Sequence, residues 1–238
     1  MNVPGRRDRS PLTSHTLESL ESEWGHQALA IYDTSFAIED RETRDQIAQI
    51  VLEPRAPGEV RHFRIMVDAE GIVRGISIFT TVHAAGMGYL RSLAIHPDAR
   101  NEGLGPVLLR DIINQVRRDG LRRMLLPYLG VVLEAERPGD AATDDERQIR
   151  QRRSAWYRRN GGRMFAEVDL VTPPPYPDLP PRRYHVSMIR GASGRLPLSW
   201  WRPLLVRAVL ASGYGEPLDG SGVRRATHAP LSPIETWE

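Results

Sequence analysis

The chain has 238 residues, 40% hydrophobic and 26% charged, with a mean hydropathy of −0.41. At about 150 residues per domain this length is expected to hold one large domain or one domain with appendages, and no apolar run approaches the ~18–20 residues needed to cross a bilayer. All 32 basic residues other than His are Arg, and Cys is 0, so neither lysine nor cysteine is present; a Schiff base, a P-loop lysine, disulfides, thiolate metal clusters and a thioester intermediate on the enzyme are excluded. The 30 acidic residues nearly cancel the Arg and leave a net charge of +2, which argues against a nucleic-acid partner.

Residues 1–15 carry charge with no apolar run behind them, so they are expected to form a disordered tail and the protein to be cytoplasmic, with no membrane contact. Leu17 to Ala30 and Thr43 to Leu52 read as helices, separated by a loop holding Phe36, Ile38, Glu39 and Asp40. Arg61–Val67 and Ile72–Val82 alternate about the turn Asp68-Ala69-Glu70-Gly71 and predict a hairpin, followed by a third strand over Gly88–His96. The period then changes to 3.6 through Leu104, Leu108, Leu109, Ile112 and Val116, predicting a helix from Leu104 to Asp119 stopped by Gly120. Met124–Glu134 reads as an interior strand whose first half is made irregular by Pro127 and Gly130, so a bulge or a late strand start is expected. Thr143 with Glu146 forms a capping-box pattern, so a helix is expected from Asp144 to the Gly161-Gly162 stop. Strands follow at Arg163–Val171 and Tyr184–Ile189, joined by the stiff Pro-rich segment 173–181. Leu198–Ala211 predicts a last amphipathic helix, and the remainder reads as irregular. This order gives an α/β (α+β) domain over residues 16–192, with a mixed sheet flanked by helices, and a C-terminal extension over 193–238 packed on it.

Chemistry concentrates in LAIHPDARNEGLG, Leu93 to Gly105. A strand runs into a loop with Gly103 and Gly105, and a helix starts at once. Its first-turn N–H groups lack internal partners and favour an anion, glycine lets a ligand approach the backbone, and Arg100 adds positive charge. The dinucleotide pattern G-x-G-x-x-G fails, because Leu108 stands at the third position, and the P-loop lysine is missing. About fifty residues on, WYRRNGGR ends the next helix. Its Tyr157 is a phenol able to protonate a leaving thiolate, since a phenol titrates near 10 and a thiol near 8.5. Glu134 and Glu136, two residues apart on the apolar strand, are carboxylates suited to take a proton from an amine, with pairing to Arg as the structural alternative.

The spacing Arg100-x-x-Gly103-x-Gly105 after a strand resembles the acyl-CoA pyrophosphate loop of the GNAT acyltransferase superfamily, and Trp156-Tyr157-x-x-x-Gly161 resembles that family's second signature. The resemblance implies the GNAT fold, a mostly antiparallel twisted sheet, and acetyl-CoA as co-substrate with no metal. It places Leu93, Ala94 and Ile95 along the acyl-pantetheine arm, with a strand N–H polarising the thioester carbonyl. Arg100, Asn101, Glu102, Gly103, Leu104, Gly105 and Pro106 meet the pyrophosphate. Tyr157 is implied as the general acid, and Glu134 stands where the family carries an acidic base.

Departures from the pattern are Arg150 and Arg153 at positions where an Asn and an Ala are common, Gly162 in place of an aromatic, and Pro106, which removes one N–H from the anion site. The expected activity is transfer of an acetyl group from acetyl-CoA to a primary amine of a small molecule or peptide by direct attack in a ternary complex. The alternative is a GNAT-fold module that binds acyl-CoA without transferring the group. A homodimer is compatible with the resemblance. Residues 39 and 40 are expected to join the acidic acceptor side, and His96, beside Pro97, to be structural.

Overall fold

The computed structural model describes residues 12–123, 128–172, 178, 182–190, 204 and 206–214. Alternating apolar positions build eight strands among them: β1 (Thr13–Thr16), β2 (Arg55–Ala56), β3 (Glu59–Val67), β4 (Val73–Val82), β5 (Met87–Ile95), β6 (Gly130–Glu136), β7 (Gly162–Thr172) and β8 (Arg182–Arg190). They form one sheet in the order β1-β3-β4-β5-β6-β8-β7, with β2 pairing beside β3. The β5–β6 pairing is parallel and the other ladders are antiparallel. The expected mixed, mostly antiparallel sheet flanked by helices is present.

Four helices cover the sheet: α1 (Glu23–Ser35), α2 (Arg44–Leu52), α3 (Leu104–Arg123) and α4 (Asp144–Arg159). One face packs Phe63, Ile65, Ile76, Ile78 and Ala94 against Ala28, Ile31, Tyr32, Ile47 and Ile50 of α1 and α2. The other packs Phe79, Leu90, Val131 and Leu133 against Leu109, Ile112 and Val116 of α3, with Trp156 and Tyr157 of α4 alongside. A third apolar group lies on the α1 and α2 side of the sheet further along, where Met87, Tyr89, Val132, Val186 and Met188 meet Val206, Ala208, Val209 and Leu210.

Local chemistry sets the helix ends. Ser22 Oγ accepts from Gly25 N at 3.0 Å, so α1 starts at Glu23 and not at Leu17, whose own N–H still bonds Phe63 O at 2.8 Å beside the sheet. Thr43 and Gln46 complete a capping box on α2. For α4, Thr143 Oγ1 accepts from Glu146 N at 3.2 Å, while the Glu146 carboxylate takes Ala142 N at 2.9 Å, so only half of the expected box forms.

Two further expectations are corrected. Residues 13–15, assigned to the tail, are part of β1, which pairs with β3 and is held by Arg64: its guanidinium grips Asp111 of α3 at 2.6 and 3.1 Å and donates to Ser14 and Thr16. Gly120 does not stop α3, because Asp119 is anchored to the sheet. Its carboxylate lies 2.7 Å from His62 Nε2 and accepts from Thr81 at 2.7 Å, which holds the last turn in register. The interior strand starts late, at Gly130, one of the two outcomes expected from Pro127 and Gly130; residues 124–127 lie outside the described residues, as does most of the Pro-rich segment 173–181. Of the C-terminal extension, a π-helical turn at Arg207–Ala211 and a helical turn at Ser212–Tyr214 are described, and Trp200, Trp201 and Leu205 lie outside the described residues.

Candidate active site

The site starts from a defect in β5. Ser92 pairs with Ile78 and Leu90 with Phe79, so Arg91 is one residue too many for β4 and forms a bulge. A bulge bends its strand, and the parallel β5–β6 ladder ends there: its rungs run from Met87↔Gly130 to Leu90↔Leu133 and no further. Beyond them β5 pairs with β4 alone and β6 with β8 alone. The two strands part, with Arg91 and Glu134 as the first residues on the two banks.

Leu93, Ala94 and Ile95 form the β5 bank. His96 N bonds Arg74 O on the β4 side at 2.9 Å. In an antiparallel strand the direction alternates, so the N–H groups of Leu93 and Ile95 face the opening. The Leu93 side chain shares the apolar group of Trp156 and Tyr157. His96 Nδ1 accepts from Asp98 N at 3.3 Å and caps the short turn Pro97–Ala99, a structural role as expected.

The loop to α3 turns through two left-handed residues, Asn101 (φ 66°) and Gly103 (φ 80°). Arg100 is exposed and directs Nε to Ile95 O at 3.5 Å. From Leu104 the first helical turn leaves N–H groups without intrahelical partners, with Pro106 donating none. Gly105 is required by contact: a Cβ there would lie 2.9 Å from Cζ2 of Trp156. The α3 N-terminus and the last turns of α4 are thus brought together. Gly161 takes φ 84° to end α4.

Tyr157 is half-buried, edge-on to Trp156 with ring centroids 5.1 Å apart. Burial raises its proton affinity; the Arg153 charge lowers it and the Glu136 charge raises it again, with a net shift upward. The phenol therefore stays protonated through the range in which a free thiol titrates.

Glu134 and Glu136 separate in role. Glu136 is paired with both Arg150, at 3.5 Å, and Arg153, which fulfils the Arg-pairing alternative for that residue and gives structural work to the two departures from the family pattern. Glu134 instead receives a hydrogen bond from Tyr89 Oη at 3.1 Å. Tyr89 is buried, and burial followed by the Glu134 charge pushes its phenol well above the usual range, so it acts as a donor.

Tyr89, Arg91 and Glu42 carry no sequence motif, yet Tyr89 bonds Glu134, Arg91 stands over Tyr89 and Glu42 pairs with Arg91. Arg91 pairs with Glu42, stands 5.4 Å above the Tyr89 ring and donates to Ser212 O at 2.7 Å. Tyr32 Oη accepts from Glu42 N at 2.8 Å. Asp40 reaches this region too, where its carboxylate accepts from Tyr184 of β8 at 3.2 Å; the Glu39 side chain lies outside the described residues. Among the described residues no group of three His, Asp or Glu is placed to hold a metal ion, and no helix is long and apolar enough to cross a membrane.

Residues 23–136 match the model of the acetyltransferase (GNAT) family. Among solved structures, a protein assigned to the GNAT acetyltransferases from Bacteroides thetaiotaomicron superposes with a TM-score of 0.63 at 16% identity, over 86% of this chain and 99% of its own. A tandem GNAT protein from the clavulanic acid biosynthesis pathway superposes with a TM-score of 0.52 at 15% identity, over 68% of this chain and 46% of its own. No curated protein is detectably similar to the chain in sequence. The parted strands and the helix that follows them define a GNAT fold, and residues 23–136 form a GNAT acetyltransferase domain by their match to that family's model.

Proposed function

We propose that this protein is an N-acetyltransferase that moves an acetyl group from acetyl-CoA to a primary amine within a ternary complex. The observation that carries this reading is the open β5 edge at Leu93–Ile95 running directly into the anion-favouring start of α3. An extended amide-bearing arm fits beside an unpaired strand edge, and a pyrophosphate fits a helix N-terminus. The residues present therefore suit the co-substrate on both counts. When bound, acetyl-CoA supplies an activated thioester and a thiolate leaving group.

The chain's own residues then have separable tasks. The outward N–H of Leu93 or Ile95 donates to the thioester oxygen, a contact whose removal costs about 2.7–4 kcal/mol in other acyl-transfer sites. Arg100 and the backbone from Asn101 to Pro106, with Glu102 and Leu104 in the turn, cradle the diphosphate. Glu134, directly or through one water, accepts the proton that the amine sheds as its nitrogen bonds the carbonyl carbon. Tyr157 Oη gives its proton to the sulfur as the C–S bond breaks. With no cysteine in the chain, direct attack needs no acyl-enzyme.

Calorimetric titration with acetyl-CoA, CoA and NADH, followed by free-thiol detection over a panel of amines, tests the reading. Micromolar binding of acetyl-CoA with amine-dependent thiol release supports it. Absence of binding removes it, and binding with no thiol release across the panel leaves the acyl-CoA-binding module.

A further inference from the structure

Among the described residues, two chain segments far apart in sequence meet at Arg91 and Tyr89, beside Glu134. The first is the loop between α1 and α2. It spans the opening between the parted strands, tied to the β8 side by Asp40 and Tyr184 and to the β5 side by Glu42 and Arg91. The second is the C-terminal turn, whose Val206, Ala208, Val209 and Leu210 are at most 2% exposed against the faces of β5, β6 and β8. Its Gly213 packs on Tyr89 so closely that a Cβ would lie 2.7 Å from the ring and 3.0 Å from its oxygen.

Arg91 is the residue common to both segments. Its side chain is 14% exposed and lies over Tyr89, with the Glu42 carboxylate on one side and the Ser212 and Gly213 carbonyls, at 2.7 and 3.5 Å, on the other. The bulge turns the Arg91 side chain to the face that Ser92 also takes, toward Tyr32 of α1. A planar guanidinium reaches a carboxylate and carbonyl oxygens together, which a lysine ammonium does less well.

We propose that Arg91 is a positioning residue that clamps both segments as the acceptor-side wall, and that the acceptor is therefore a small amine and not a residue of an extended polypeptide. The inference rests on the transferase reading above and narrows its acceptor class. A bound peptide extends about 3.3 Å per residue and would have to cross the strand faces that Val206 and Ala208–Leu210 already cover. A small amine meets Glu134 without spanning those faces. Tyr89, held between Gly213 and Arg91, keeps that carboxylate oriented.

The test uses the full chain, an Arg91→Lys variant and an Arg91→Met/Glu42→Gln double variant, the second substitution removing the carboxylate that Arg91 neutralises. Deuterium exchange of peptides covering 206–214 and 40–43 is read beside acetyl-CoA affinity and steady-state kinetics. The acceptors are a panel of small primary amines and decapeptides ending in the same amines. The expected wild-type result is kcat/KM at least tenfold lower for the decapeptides. In the double variant both segments lose protection, KM for the small amine rises about tenfold, kcat stays within threefold, acetyl-CoA affinity stays within twofold and the disadvantage of decapeptides shrinks; Arg91→Lys recovers part of the loss. Decapeptides used as well as small amines, or unchanged protection and KM in the double variant, overturn the proposal. Failure of the wild type to bind acetyl-CoA would overturn the transferase reading instead, while the exchange data would still report whether Arg91 holds the two segments.

Discussion

Tyr89 donates its phenolic hydrogen to Glu134 Oε1 at 3.1 Å, from one residue before the last β5–β6 rung to one residue after it. The bond crosses the point where the strands separate, so the orientation of the candidate base is tied to the geometry that opens the cleft. A donor to a carboxylate favours its charged form. Tyr89→Phe is therefore expected to move the acidic limb of kcat/KM upward. A pH–rate profile in which that limb stays in place would separate Tyr89 from the base.

Removal of the proposed proton acceptor or donor should slow the chemistry without loosening the co-substrate. Glu134→Gln and Tyr157→Phe are each expected to lower the rate of thiol release by about 10²–10⁴-fold with acetyl-CoA affinity retained. Burial, partly offset by Arg153, raises the Tyr157 proton affinity. Its neutral form thus persists below the raised value and is lost only as pH rises through it, so Tyr157 should impose no fall in kcat up to about pH 10. A basic limb near pH 8 that disappears in Tyr157→Phe would contradict this assignment.

The two loop glycines should respond differently. Gly105→Val pushes against Trp156, 2.9 Å from a Cβ at that position, and is expected to weaken acetyl-CoA binding at least tenfold in calorimetry. Gly103 faces open space at φ 80°, so Gly103→Ala meets only backbone strain, of about 1–2 kcal/mol. Urea unfolding measures that loss. Equal effects of both substitutions on binding would show that close approach at Gly105 is not what matters.

Acid should unfold the protein partly through Asp119. Burial opposes its charge, but the hydrogen bond and charge of His62, with Thr81 and Gln115, outweigh burial and hold the carboxyl below its ordinary value. A depressed folded-state value gives stability that is present above the unfolded value of about 3.9 and is lost as pH falls through the folded one. Asp119→Asn is expected to flatten the decline in urea midpoint below about pH 4, and Asp119→Ala to cost about 3 kcal/mol near pH 7. A wild-type slope retained in Asp119→Asn would assign acid lability elsewhere.

Much of the architecture is legible because it is local. The change of period at Leu104, the Thr143 cap and the glycine that ends α4 after Tyr157 each act within a few residues, and the strand–loop–helix order follows from them. The bulge at Arg91 is not local, since it exists only relative to the register of β4. The bonds around the β5 bulge join residues 45 positions apart, in Tyr89 and Glu134, and 121 apart, in Arg91 and Ser212; no periodicity encodes such meetings. Gly120 shows the converse, a local stop signal overridden by tertiary anchoring of its neighbour Asp119. The two glutamates were equivalent by spacing, and only their partners, arginines for Glu136 and a phenol for Glu134, tell them apart.

The short parallel ladder also has a mechanical meaning. Four rungs, Met87↔Gly130 to Leu90↔Leu133, join a β1–β5 leaf to a β6–β8 leaf, and past them the sheet is an unstitched seam. An elongated ligand lying in that seam would bond one leaf along its length while touching the other at its tip. Occupancy would then act as a weld, making two leaves that share few backbone bonds melt as one body.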